Sequence, residues 1–225
     1  LKPSGDYLME DFYYAGGLPA LHKEILSLLD GDQMTVTGKT LKENVASAVN
    51  YNTDIIRTLD NPLSPEGGLA ALYGSLAPRG AIIKPTAASE SLLTHKGRAV
   101  VFNSHHEMDD LIDDPALNIQ PDDILVMRNS GPIGAPGMPE WGFLPLPKKI
   151  LAMGIRDMVR LSDARMSGTA FGTVIVHVAP ESASGGPLGA VQTGDEISLD
   201  VPNRKLDLCI PDREIKRRLS ENPNV

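Results

Sequence analysis

A chain of 225 residues, 41% hydrophobic and 22% charged, is long enough to bury a sizeable core and too apolar for disorder along its whole length. The net charge of −8, with Lys and Arg scattered rather than gathered into a stripe, argues against nucleic acid as a partner. No apolar stretch reaches the roughly 18 residues that cross a bilayer. No signal-peptide hydrophobic region follows Leu1 either, so the expectation is a cytoplasmic protein with no membrane partner.

The chain opens without Met in Pro/Gly/Tyr-rich sequence, which reads as an entry from a preceding domain and suggests a fragment. Leu21, Ile25, Leu28 and Leu29 fall at helical spacing and predict a helix over 19–30, stopped by Gly31. Met34 to Thr37 suggests a short strand, and Thr40 with Glu43 forms a capping-box pattern that starts a second helix near Leu41. Residues 50–80, with Asn61-Pro62, Ser64-Pro65 and Gly67-Gly68, read as an extended connection.

From residue 80 onward the pattern becomes β-rich. Seven runs are predicted as strands: Ala81–Lys84, Ala99–Phe102, Ile124–Met127, Met158–Leu161, Thr173–Val178, Glu196–Val201 and Lys205–Ile210. Helices are predicted at Glu107–Ile112 and Pro147–Met153, and the Arg213-to-Arg218 run reads as a solvated amphipathic tail helix. The expected fold is α/β: a β-rich, barrel-like domain over 80–225 with flanking helices, preceded by a helical and extended segment over 1–79.

Cys209 is the sole cysteine, which excludes an internal disulfide and cannot by itself hold an iron–sulfur cluster. Its alternating run, Leu206 to Ile210, predicts a place in the core. Ser104-His105-His106-Glu107 has metal-friendly side chains, but neighbours on a helix point apart, so a capped helix start is the better reading.

Two segments can carry chemistry. Asn129 to Gly142 is a Pro/Gly loop after a strand, and its one carboxylate, Glu140, is either a hard-metal ligand or a solvated loop glutamate. Leu161 to Gly172 places Ser167 near Arg165 and Gly168, where a turn exposes a hydroxyl beside a cation and backbone N–H groups. The bland alternative has Ser162, Ser167 and Thr169 satisfying turn hydrogen bonds while Arg165 pairs with Asp163 on the surface. Spacing alone leaves both open. A hydrolase with Ser167 as nucleophile would need a histidine base, for which only His177 lies near.

Taken in order, Gly131-Pro132-Ile133-Gly134-Ala135-Pro136-Gly137-Met138-Pro139-Glu140 and Ser162-Asp163-Ala164-Arg165-Met166-Ser167-Gly168-Thr169 resemble motifs of the dihydroxy-acid and sugar-acid dehydratase family. Tyr7 to Pro19, His95 to Phe102, Pro180 to Pro187 and Val201 to Arg204 extend the resemblance nearly end to end. It implies the carboxy-terminal, swivelling β/β/α type domain of a hydro-lyase that turns a 2,3-dihydroxy acid into a 2-keto-3-deoxy acid. By the same resemblance, Ser167 takes the C2 proton as an alkoxide beside Mg²⁺ and Glu140 binds that Mg²⁺. A cluster of the 2Fe–2S type would be held by cysteines of the amino-terminal domain. Arg165, Gly168 and Thr169 are candidate substrate contacts from their charge and backbone.

Asn129-Ser130 and Ala164-Arg165-Met166 depart from the branched-chain biosynthetic members and favour an aldonic acid as the small-molecule substrate. The implied partners are the protein's own amino-terminal domain and further copies in a homodimer or homotetramer. The fragment alone is expected to be inactive, and the rival readings are a dihydroxy-acid dehydratase of branched-chain amino-acid biosynthesis and a non-catalytic assembly or swivelling domain.

Overall fold

The computed structural model describes residues 1–2, 5–137, 144–167 and 171–221. Two compact units divide the chain, Leu1–Gly67 and Gly68–Val225.

The first unit holds three short helices, α1 (Met9–Tyr14), α2 (Gly17–Glu24) and α3 (Leu41–Val45). The predicted helix over 19–30 starts earlier and ends sooner, because Ile25 leaves helical geometry and a 3-10 turn takes over at Leu26–Leu28. The predicted capping box is present: Thr40 Oγ1 accepts from Glu43 N–H at 3.2 Å, and Glu43 Oε2 accepts from Thr40 N–H at 2.7 Å. Met34–Thr37 is a turn rather than a strand, since Thr35 N–H and Oγ1 both donate to Lys39 O and only Met34 bridges to Thr40.

The second unit is built on β1 (Ala70–Leu72), β2 (Ala81–Ile83), β3 (Thr94–Phe102), β4 (Ile124–Met127), β5 (Arg160–Ser162), β6 (Val174–Val176), β7 (Glu196–Asp200) and β8 (Lys205–Leu208). These eight strands form one mixed sheet in the order β1-β2-β6-β5-β4-β3-β7-β8. Its two edges meet: Tyr73 N–H donates to Arg204 O at 2.9 Å and Leu206 N–H donates to Tyr73 O at 3.0 Å, curling the sheet into a barrel-like form. The barrel with flanking helices expected from the sequence is therefore present. β1 falls inside the stretch read as a connection; three residues between Gly/Pro-rich segments are too few to show period-2 alternation.

β3, β4, β5 and β6 run parallel to one another, and β2 runs antiparallel to β6. Parallel strands are covered on both faces. Ala99, Ile124, Val126, Leu161 and Ile175 face the barrel interior, joined by Leu199 and Leu206 from β7 and β8. Val100, Phe102, Leu125 and Met127 face outward and are covered by Met108 of α4 (His105–Leu111) and Ile150 of α5 (Lys148–Ala152). Ser104 Oγ accepts Glu107 N–H at 3.2 Å and caps α4, the helix start read for that segment.

Cys209 is exposed, not core: Leu206 and Leu208 point inward, and the two-residue period turns the odd positions out. The tail helix, α6 (Asp212–Glu221), is docked rather than free, with Ile215 buried and Arg218 Nη1 2.5 Å from Asp195 Oδ2. No helix among the described residues is long and apolar enough to cross a membrane.

Candidate active site

Four parallel strands share one carboxyl end, where parallel sheets gather their ligand-binding loops. Asn103 follows β3, Arg128 and Asn129 follow β4, Asp163 follows β5 and His177 follows β6. Because β2 runs the other way, its entry at Arg79 and Gly80 joins the same end, with Arg79 N–H donating to Ala179 O at 3.0 Å. A cavity of about 340 Å³ opens there, lined by Arg79, Pro132, Asp163, His177, Pro180 and Glu181.

Two acidic side chains set the loop positions. Asp163 is buried, and its Oδ1 accepts Ser130 N–H at 2.8 Å while its Oδ2 accepts Ser182 N–H at 2.9 Å and the Ser182 hydroxyl at 2.5 Å. The alternative of a surface pair with Arg165 is therefore replaced by a buried tie between the loops after β4, β5 and β6. Glu181 accepts Ile133 N–H and Gly134 N–H at 2.9 and 3.3 Å and so holds the Pro/Gly loop. A Cβ at Gly131 would stand 2.1 Å from Glu181 Oε2, which is why that position takes glycine. Asp163→Ala leaves buried N–H donors without acceptors and is expected to destabilise the chain by about 3 kcal/mol. Chemical denaturation checks this; a loss below about 1 kcal/mol would match a surface pair instead.

The connections from β4 to β5 and from β5 to β6 are crossovers that start at this end and return to the opposite one. Both return points are held by one side chain. Arg160 is 2% exposed; its Nη1 donates to Leu144 O at 2.6 Å and its Nη2 donates to Phe171 O at 3.1 Å. The guanidinium also pairs with Asp157 at 3.1 Å, and Asp157 accepts Thr173 N–H, the Thr173 hydroxyl and Ser89 N–H. Burial works to raise the Asp157 carboxyl, but the Thr173 and Ser89 bonds and the Arg160 charge outweigh it and hold the group below its ordinary value. Gly172, at φ +90°, leaves room for this pair, since a Cβ there would lie 2.2 Å from Arg160 Nη2.

Ser167 sits on the second crossover. It is buried, 7% exposed, where the sequence suggested an exposed hydroxyl. The Lys84 Nζ donates to Ser167 O at 3.2 Å, bringing an ammonium against its main chain. Next to it, Met166 N–H donates to His177 Nε2 at 2.9 Å. That bond engages the imidazole nitrogen that a serine nucleophile would need, which weakens the hydrolase alternative. Arg165 is exposed on the same crossover. Glu140, Gly168 and Thr169 lie outside the described residues; Glu140 precedes Leu144, and Ser167 precedes Phe171, by the same four positions in sequence.

Sequence reasoning missed Lys84, Arg160 and Glu181 as site-building groups, gave Asp163 only a surface pair with Arg165, and named His177 only as a base for the hydrolase alternative. The charge of Arg160 inside the run Met158-Val159-Arg160-Leu161 was the available signal, because a cation in an otherwise apolar strand needs a buried partner.

Residues 54–225 match the family model described as Dihydroxy-acid/6-phosphogluconate dehydratase C-terminal, and residues 1–44 match the corresponding N-terminal model. The match to the N-terminal model is thus confined to that first stretch. The chain is 53% identical to an L-arabinonate dehydratase of Rhizobium leguminosarum bv. trifolii (strain WSM2304), over 100% of this chain and 39% of the relative. Identity is 50% to a 6-deoxy-6-sulfo-D-gluconate dehydratase of Pseudomonas putida, over 97% of this chain and 38% of the relative. It is 44% to a dihydroxy-acid dehydratase of Acetivibrio thermocellus, over 98% of this chain and 40% of the relative. The chain spans roughly two fifths of the length of these relatives, at 38–40%. A family model matched over most of the sequence, with the motif-bearing loops gathered at one end of the barrel, settles its kinship: the chain belongs to the dihydroxy-acid/6-phosphogluconate dehydratase family.

Proposed function

We propose that this chain is the carboxy-terminal part of a hydro-lyase that converts an aldonic acid into a 2-keto-3-deoxy acid, with Ser167 as the base at C2. The observation that carries the reading is the setting of Ser167: a buried serine held on a crossover, with Lys84 donating to its carbonyl at 3.2 Å and Arg165 two positions away. A serine hydroxyl accepts a proton only after losing its own, which a positive field favours. Lys84 and Arg165 bring positive charge from this chain's own residues.

Dehydration removes the C2 proton and the C3 hydroxyl, leaving an enol that tautomerises to the keto acid. In this reading Ser167 receives the C2 proton, and Arg165 with the backbone at Gly168 and Thr169 holds the substrate carboxylate. Departure of the C3 hydroxyl falls to groups outside this chain.

An iron–sulfur cluster does not fit the residues present, since the single Cys209 cannot replace the three or four thiolates it takes. Among the described residues no three His, Cys, Asp or Glu side chains gather for a metal. Glu140 is proposed as one ligand of a Mg²⁺ whose other ligands lie elsewhere in the longer protein.

An aldonate is favoured over a branched dihydroxy acid by Asn129-Ser130 and Ala164-Arg165-Met166, and by the higher identity to relatives named for sugar acids, 50–53% against 44%. The test is keto-acid release by the complete enzyme from a panel of aldonates and branched dihydroxy acids. Turnover of aldonates is expected, with none from the 225-residue chain alone; turnover of branched acids only would overturn the substrate assignment.

A further inference from the structure

His177 takes no part in the proposed proton transfer, yet it grips the segment that carries Ser167. Its own N–H donates to Ala164 O at 2.9 Å, and its Nε2 accepts Met166 N–H at 2.9 Å. The residue takes φ +54°, a left-handed conformation uncommon outside glycine, in which histidine is among the enriched side chains. That turn aims the ring back at the crossover it has just followed. Lys84 holds the other side, at Ser167 O, so the Met166–Ser167 dipeptide is pinned at its leading N–H and at its trailing carbonyl.

Accepting a backbone N–H at Nε2 requires that nitrogen to be unprotonated, which places the ring proton on Nδ1. Protonation of the ring would convert the acceptor into a donor facing a donor and release Met166. The charged groups around the ring are Arg165 on the crossover and Arg79, Asp163 and Glu181, which line the cavity beside it. Partial burial of the ring, then the Arg165 charge, push its pKa below the ordinary histidine value, so the neutral acceptor persists at neutral pH.

We propose that His177 is a positioning residue for Ser167: as a neutral imidazole it fixes the Met166 peptide group and thereby the direction of the Ser167 side chain. The inference rests on the assignment of Ser167 as the base, and its test has one arm that does not.

In the complete enzyme, His177→Ala should lower kcat about tenfold or more with KM changed less than about threefold, since a small misplacement of a reacting group costs rate rather than binding. His177→Gln places an amide oxygen near the position of Nε2 and does not titrate. It should recover most of that kcat and lose the acid limb that neutral His177 imposes on the parent profile. A His177→Ala enzyme within twofold of the parent, a Gln variant as slow as Ala, or an unchanged acid limb in the Gln variant would each overturn the proposal.

The second arm uses the 225-residue chain and no substrate. Nitrogen-15 shifts should report an unprotonated Nε2 and a protonated Nδ1 at neutral pH, and the Met166 amide should exchange faster in His177→Ala than in the parent. A protonated Nε2 overturns the positioning role even if Ser167 is the base; the expected tautomer with a fully active Ser167→Ala enzyme indicts the base assignment instead.

Discussion

Ser167→Ala in the complete enzyme is expected to lower kcat by about three orders of magnitude, the range typical for loss of a general base. The side chain is small and 7% exposed, so the alanine variant removes one hydroxyl and creates almost no cavity. The loop around it is set by groups that stay in place: Asp163 ties its start, Arg160 and Gly172 its return, and Lys84 its middle. The change in folding stability should remain under about 1.5 kcal/mol, the scale of one hydrogen bond. Activity and thermal unfolding measured on the same preparation separate the two effects. Turnover within tenfold of the parent, from a protein with parental stability, would remove Ser167 from the chemistry.

Arg160→Ala carries the largest expected effect on stability, a loss of about 3–5 kcal/mol, because it strips the partner from a buried carboxylate. Asp157 and Arg160 side chains are 8% and 2% exposed, so solvent does not replace what the substitution takes away. The same change leaves Leu144 O and Phe171 O without the donors that hold the return of both crossovers. Asp157→Ala should be comparably damaging, and the double variant should cost less than the sum of the singles by more than about 1 kcal/mol, as for directly coupled groups.

The pH dependence has a definite sign. The folded Asp157 carboxyl lies below its ordinary value, so its contribution to stability is complete above the unfolded value of about 3.9 and fades as the pH falls through the lower folded value. Acid unfolding of the parent should therefore include a component that Asp157→Ala lacks. Simple additivity of the two singles, with no change in the acid limb, would mean that the pair is not a unit.

Much of the barrel was legible in the sequence because strand burial is regular. Ile124–Met127 is apolar at every position and forms a strand with those bounds, since a parallel strand covered on both faces needs no polar alternation. The Thr40 and Glu43 box was legible for the opposite reason: it is local, with both partners inside one turn. Cys209 was misplaced because alternation gives the period of a strand but not which parity faces the core. β1 was missed because it forms only by pairing with β2, at Ala70–Ile83 through Leu72–Ala81. The site shows the same limit. Ser167 and Arg165 were singled out as candidates through their motif, whereas Lys84 and His177 reach Ser167 and Met166 from separations of 83 and 11 residues that no local pattern encodes.

Removal of the C2 proton is tested most directly by turnover of an aldonate by the complete enzyme in deuterium oxide, with the product read by NMR. The C2 hydrogen should be lost and one solvent deuteron should appear at C3 of the keto acid, with neither event in Ser167→Ala. A product that carries the substrate's C2 hydrogen at C3, with no solvent deuterium, would contradict it.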